Sequence, residues 1–79
     1  MIKPTYLVHI DGHNKYYIVK PTPNSKSQGY DCTYGGFGKS PTNVQYNGDI
    51  VVQKKIQEKL KKGYVAVTEE EFDYMQETQ

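Results

Sequence analysis

Apolar and polar positions change their spacing midway along this 79-residue chain. In the first half, β-forming side chains cluster in short runs separated by turn residues. Tyr6-Leu7-Val8-His9-Ile10 and Lys15-Tyr16-Tyr17-Ile18-Val19-Lys20 are rich in the branched and aromatic residues that suit a pleated surface. Between them, Asp11-Gly12-His13-Asn14 carries an Asp-Gly pair, whose glycine accepts positive φ, so a hairpin is predicted. Residues 21–28 hold no apolar packing residue beyond prolines and read as an exposed, mobile loop. A third strand is expected at Tyr30-Asp31-Cys32-Thr33-Tyr34, with Tyr30, Cys32 and Tyr34 on one face. Gly35-Gly36-Phe37-Gly38 turns the chain, and a fourth strand is expected at Thr42–Tyr46 after Pro41.

In the second half the period lengthens. Asn47-Gly48 before Asp49-Ile50-Val51-Val52 is compatible with another hairpin. The preferred reading makes Asp49 an N-cap and starts a helix at Ile50. Val52, Ile56 and Leu60 recur every four residues and cover about 80° of a helical wheel. Gly63 stands where a helix-ending glycine belongs, and Lys61 and Lys62 complement the dipole. Lys54, Lys55, Lys59, Lys61 and Lys62 then spread over the opposite face, with Glu58 able to pair with Lys62 at i+4. Val65-Ala66-Val67 is a short strand or extended link. Thr68-Glu69-Glu70-Glu71 has the capping-box pattern, opening a short helix anchored by Phe72 and Met75. The fold class is therefore α+β: a small twisted antiparallel sheet of about four strands, one helix packed across it over about 50–62, and a short acidic C-terminal helix over about 69–77. Residues 1–68 form one domain and 69–79 an acidic helix or tail.

Length excludes large cofactor-domain enzymes. One cysteine excludes a disulfide framework and a four-cysteine zinc site. It suits a reducing compartment, so a cytoplasmic, intracellular location is expected. No apolar run approaches the ~20 residues of a membrane helix, and the first residues show no apolar signal region. Charge sharpens the picture more. The formal net charge is +1, yet residues 1–68 hold all ten lysines against four acids, and residues 69–79 hold five acids and no base. There is no arginine and no tryptophan, and eight aromatics are tyrosine. Lysine is a hydrated point charge, whereas arginine is the planar fork that reads guanine edges. That composition points away from base-specific reading and leaves phosphate contact open.

Candidate chemistry is sparse. Gly38-Lys39-Ser40 ends like a phosphate-binding P-loop, but the pattern needs a glycine where Thr33 stands. Pro41 follows where a helix should open. His9, Asp11, His13 and Cys32 can be assembled as a metal set only if a hairpin makes them converge; solvent-exposed turn histidines are the plainer reading. Cys32 as a nucleophile needs a lowered pKa and a base; on a strand it reads as a small packing residue. No serine–histidine–acid arrangement stands out. No catalytic group, metal or cofactor is expected. The glycine turn reads either as a bend whose Phe37 packs down or as a surface presenting Tyr34, Phe37 and Lys39. The lysine face reads either as a solubilising face or as a nucleic-acid or acidic-protein surface.

Three segments together resemble the WGR domain family. Asn14-Lys15-Tyr16-Tyr17-Ile18 resembles its N-K-F/Y-Y-x-I strand. Tyr34-Gly35-Gly36-Phe37-Gly38 resembles its W-G-R-V-G turn, with Tyr34 for tryptophan, Gly36 for arginine and Phe37 for the aliphatic residue. Glu58-Lys59-Leu60-Lys61-Lys62-Gly63-Tyr64 is similar to its E-K-T-K-K-G-Y helix end. The pieces occur in family order across residues 14–64, about two-thirds of the chain. The resemblance implies a twisted antiparallel sheet with one helix across it. WGR domains occur in DNA-dependent poly(ADP-ribose) polymerases, where they bind near DNA ends, and in small bacterial proteins. The family tryptophan stacks on sugar at the DNA end, a role Tyr34 inherits by resemblance; its arginine couples neighbouring domains. The expected function is a non-enzymatic WGR-like module. It would contact nucleic acid weakly and without sequence preference, through Tyr34, Gly36, Phe37, Lys39, Lys54, Lys55, Lys59, Lys61 and Lys62. The alternative is a small protein-interaction or inhibitor/adaptor protein, phage-encoded for example, that uses the same fold to bind a larger protein partner.

Overall fold

The computed structural model describes residues 3–10, 14–22 and 29–78. The Asp11-Gly12-His13 turn and most of the loop expected over 21–28 lie outside the described residues. The elements are β1 (Thr5–His9), β2 (Lys15–Pro21), β3 (Gly29–Gly36), β4 (Thr42–Asn47), α1 (Asp49–Lys61), β5 (Val65–Val67) and α2 (Glu69–Glu77). The strands form one open sheet in the order β4-β3-β2-β1-β5, antiparallel throughout. The fold is α+β, with five strands instead of about four. The addition is Val65–Val67, which pairs with β1 through Tyr6↔Val67, Leu7↔Ala66 and Val8↔Val65.

Both faces of the central strands are covered, and the sequence carries the reason. A strand buried on one side alternates; one buried on both sides reads as an unbroken apolar run. Tyr6, Leu7 and Val8 are all buried, as are Tyr16 and Tyr17. Because successive side chains point to opposite faces, these residues divide between two cores. On one face Leu7, Tyr17, Val19, Tyr30 and Cys32 pack with Val52 of α1. On the other, Tyr6, Val8 and Tyr16 pack with Phe72 of α2. Edge strand β4 alternates between exposed and half-buried residues, as expected with one face covered. Tyr30, Cys32 and Tyr34 do share a face, although Tyr34 remains exposed at its margin.

Helix α1 carries the chain from β4 at one edge to β5 at the other. Its 13 residues span about 20 Å, comparable with the ~19 Å of four strand spacings. Asp49 is not the N-cap. Gly48 holds that position at φ +97° with no side-chain cap, and Asp49 is the first helical residue. The Asp49 carboxylate instead accepts a hydrogen bond from the Tyr30 hydroxyl. A fully buried tyrosine ring needs a partner for its polar tip.

The apolar stripe also differs at one position. Val52 is buried and Ile56 packs on the core, but Leu60 is 40% exposed. Steps of four residues drift by about 40° each, so position i+8 has turned about 80° away, whereas i+7 stays within about 20°. Lys59 is that i+7 residue, and its ammonium lies over the rings of Tyr17 and Tyr64.

The helix end is a Schellman motif. Tyr64 N–H donates to the Lys59 carbonyl at 3.1 Å and Gly63 N–H to that of Leu60 at 3.2 Å. Gly63 takes φ +105°, and a Cβ there would lie 3.1 Å from His9 Nε2. The capping box of α2 forms as expected, with Thr68 Oγ1 accepting from Glu71 N–H and Glu71 Oε1 accepting from Thr68 N–H.

Phe72 is 3% exposed and stands within 5.3–5.7 Å, ring to ring, of Tyr6, Tyr16 and Phe37. Helix α2 therefore forms a covering layer on the second face. Replacing Phe72 by alanine is expected to lower unfolding free energy in urea by about 3–5 kcal/mol. Leu60→Ala, half in solvent, should cost less than about 1.5 kcal/mol. Equal effects would mean that α2 contributes no core.

Candidate nucleic-acid interface

Three chain reversals meet at one end of the sheet. Asn14, with φ +48°, leads into β2 at Lys15. The β3–β4 turn is tied to it by a hydrogen bond from Phe37 N–H to the Asn14 carbonyl at 3.0 Å. Inside that turn Lys39 N–H donates to the Gly36 carbonyl at 3.1 Å, and Gly38 takes φ +79°. The third reversal is the end of α1, where His9 Nε2–H donates to the Lys62 carbonyl at 3.1 Å. The His9 ring also meets Tyr64 edge-on at 5.2 Å. His9 is thus half-buried and engaged with the helix terminus, rather than a solvent-exposed turn residue.

These reversals enclose a concavity of about 600 Å³ lined by Asn14, Lys15, Tyr16, Tyr34, Gly35, Gly36, Phe37, Lys39, Lys59 and Tyr64. A smaller hollow of about 300 Å³ adjoins it, sharing Lys15, Lys59 and Tyr64 and adding His9 and Lys62. Of the residues singled out in the sequence, Tyr34, Gly36, Phe37, Lys39 and Lys59 come together here, with Lys62 next to them. The others do not. Lys54 and Lys61 lie on the outer side of α1 with Ile50, Gln53, Gln57 and Glu58, and Lys55 reaches over the Tyr46 ring. The lysine face is therefore two stripes, of which only one borders the concavity.

Each residue at the concavity has a local cause. Tyr34 is 37% exposed, with its ring 5.9 Å from that of Tyr17, so one side is supported and the other is accessible. Phe37 packs down, 5.2 Å from Tyr16, which favours the anchoring reading of the turn over the presenting one. A Cβ on Gly36 would lie 3.3 Å from Lys39 Cδ, so the bare glycine lets the lysine stem cross the turn. Lys15, Tyr64 and Asn14 are not among the expected binding residues, and His9 enters the sequence reading only as a metal ligand or a turn histidine. Lys15 and Tyr64 lie inside the Asn-Lys-Tyr-Tyr and Lys-Lys-Gly-Tyr segments, so the signal was present; what was missing was the knowledge that these two segments meet.

The electrostatics are one-sided. Among the described residues no carboxylate lines either hollow. The acids of α2 belong to the opposite sheet face, since Phe72 and Val52 sit in different cores. Partial burial lowers the Lys59 pKa, and Lys62, Lys55 and Lys15 push it the same way while Glu58 opposes them. Lysines that outnumber the nearby carboxylates create an anion-attracting potential. Burial raises the Tyr17 hydroxyl strongly and the Tyr64 hydroxyl as well. Burial also raises the Cys32 thiol, with Tyr17 acting against it. Full burial and a raised thiol pKa match the packing reading of Cys32.

Asp11 and His13 of the imagined metal set lie outside the described residues. Among the described residues no group of three or more His, Cys, Asp or Glu could hold a metal ion, and no helix is long and apolar enough to cross a membrane. Comparisons with protein-family models, curated proteins and solved structures return no match.

The pKa directions set an alkaline limit on stability. Cys32, Tyr17 and Tyr64 hold their protons in the folded chain above the pKa values of their unfolded forms, about 8.5 for a thiol and about 10 for a phenol. Their contribution is intact below those values and is lost as pH rises through the folded pKa values. Lys59, lowered in the folded state, works in the opposite sense, but it is one group against three. Urea midpoints are expected to fall steadily above about pH 9, and Tyr64→Phe should flatten that fall. A midpoint rising with pH in that range contradicts the assignment.

Proposed function

We propose that this protein is a non-enzymatic, WGR-like binding module that engages nucleic acid weakly through its phosphates. The observation carrying the proposal is the convergence of Lys15, Lys39, Lys59 and Lys62 with an accessible Tyr34 ring around hollows bearing no carboxylate among the described residues. Lysine ammonium groups neutralise phosphates without reading sequence. A tyrosine backed by another ring gives a base or sugar a flat platform. The absence of arginine removes the usual fork for guanine edges, so binding is tolerant of sequence. The tethered turn, the glycine under Lys39 and the Lys-Lys-Gly-Tyr helix end are the segments through which the WGR resemblance runs, and they border one concavity. The second reading is a protein partner: the same hollows suit an acidic segment, with Tyr34 as its apolar contact.

Fluorescence anisotropy with labelled single-stranded and nicked duplex DNA and with RNA tests the proposal. Affinity should fall steeply with salt; four phosphate contacts on a single strand correspond to a log–log slope near −3. Lys15→Gln with Lys39→Gln and Lys62→Gln should remove most binding and flatten the slope, and Tyr34→Ala should weaken it further. Lys54→Gln with Lys61→Gln, on the outer stripe, should change it much less. No binding to any probe at low salt would refute the nucleic-acid reading. A partner retained after nuclease treatment and lost in Tyr34→Ala would favour the protein one.

A further inference from the structure

We infer that the open edge of β4 joins a second copy of this chain, in antiparallel two-fold pairing centred on Gln45, to give a continuous ten-stranded sheet. This inference is independent of the nucleic-acid reading.

An edge strand exposes a row of backbone donors and acceptors, and natural sheets protect such edges with lysine, proline, bulges or shortness. β5, at the other edge, is short, with three residues. Among the described residues no strand pairs with the outer edge of β4. Within its own residues β4 holds no lysine, proline or bulge, although Pro41 stands just before it. It is six residues long, Thr-Asn-Val-Gln-Tyr-Asn, and its register on β3 runs unbroken from Tyr34↔Thr42 to Gly29↔Asn47. In a chain with 24% charged residues, positions 40–53 hold a single charged side chain, Asp49. The first turn of α1 follows directly, and its Ile50 is 70% exposed and its Val51 42%. Val51 lies one turn before Lys55, whose ammonium rests over Tyr46 of β4. It therefore faces the side of the helix that overlooks the open edge.

Self-pairing matches like with like. About Gln45, Val44 of one copy faces Tyr46 of the other on the α1 side of the sheet. On the far side Asn43 faces Asn47, and the Gln45 amides face each other. Charge selects the direction. The charged residues flanking the strand are Lys39 before it and Asp49 after it. Antiparallel pairing draws Lys39 of each copy towards the Asp49 end of the other, whereas parallel pairing sets Lys39 beside Lys39. Antiparallel pairing also sends the two basic hollows, which sit at the Tyr34 and Thr42 end, to opposite ends of the joint. The two-fold closes the assembly. One strand pair with a few apolar side chains falls below about 1,200 Å² of buried surface, so the dimer is weak and concentration-dependent.

Sedimentation from about 10 μM to about 1 mM, the range such a small interface calls for, should show monomer passing into dimer. Amide exchange over residues 42–47 should slow in parallel. Gln45 is exposed, so Gln45→Lys and Gln45→Glu should each keep the fold yet weaken dimerisation several-fold, because like charges then meet across the two-fold. An equimolar mixture of the two should restore dimer. A chain monomeric throughout overturns the inference, as does a Gln45→Lys variant that dimerises like the original. A mixture no larger than its components overturns the register. Dimer that survives Gln45→Lys and disappears in Val65→Lys assigns the contact to β5 and overturns it as well.

Discussion

The structure depends on burying the central strands from both sides. β1 and β2 present apolar or aromatic side chains alternately to two faces, and neither face can be left in water. Tyr6, Val8 and Tyr16 on one side and Leu7, Tyr17 and Val19 on the other need separate covers. Each face receives one helix, α1 through Val52 and α2 through Phe72. Hence α1 must cross the whole sheet, and the return strand β5 must pair at the far edge before α2 can reach the second face. Phe72 completes a cluster that would otherwise leave three tyrosine and phenylalanine rings without a lid. In a chain this small, where little surface is buried per residue, removing either cover removes a core and not a decoration.

Much of this was legible from local pattern. The two central strands, the third and fourth strands, α1 and the α2 capping box follow from β-forming runs, four-residue spacing and turn chemistry. What local pattern could not supply was anything set by contact between distant segments. Asp49 looks like an N-cap because aspartate commonly caps helices; its carboxylate goes to Tyr30 because a buried phenol 19 residues away in sequence needs an acceptor. Leu60 looks like core because it continues a four-residue count; Lys59 takes the place because the seven-residue step is the one that stays aligned. Val65–Val67 became a strand only because β1 offered an edge. The candidate site divides the same way. Its lysines and aromatics were visible, but their partition into a bordering stripe and an outer stripe required the helix's rotation on the sheet.

The sheet also separates charge. The near-neutral total of +1 conceals a basic helix on one face and an acidic helix on the other. Had α2 remained a tail, its five acids could have lain across the lysines and offset them. Docking by Phe72 places those exposed acids on the opposite sheet face, and it does so through an apolar contact that salt does not screen. The basic character of the hollows is therefore a consequence of packing, and it persists at ionic strengths that would release a tail held by charge alone.

A helix C-terminus is an unpromising neighbour for an anion, since its unpaired carbonyls amount to roughly half a negative charge. At the end of α1 that field is answered twice. Backbone donors from Gly63 and Tyr64 occupy the carbonyls of Leu60 and Lys59, and His9 occupies that of Lys62, so the exposed carbonyl row is largely consumed. Lys59 and Lys62 then stand at the same terminus, with Lys15 and Lys39 brought in from the other two reversals. Four cations against roughly half a charge and the neighbouring Glu58 leave a positive surplus, and among the described residues no carboxylate lines the hollows. The Lys59 pKa is lowered first by burial, and Lys62, Lys55 and Lys15 add to that shift while Glu58 opposes it. Under the proposed function, a phosphate bound there would relieve the mutual repulsion of the lysines as well as gain their attraction. Such repulsion costs some stability in a small domain, and the Tyr17 and Tyr64 rings offset part of it, because the Lys59 ammonium lies over both.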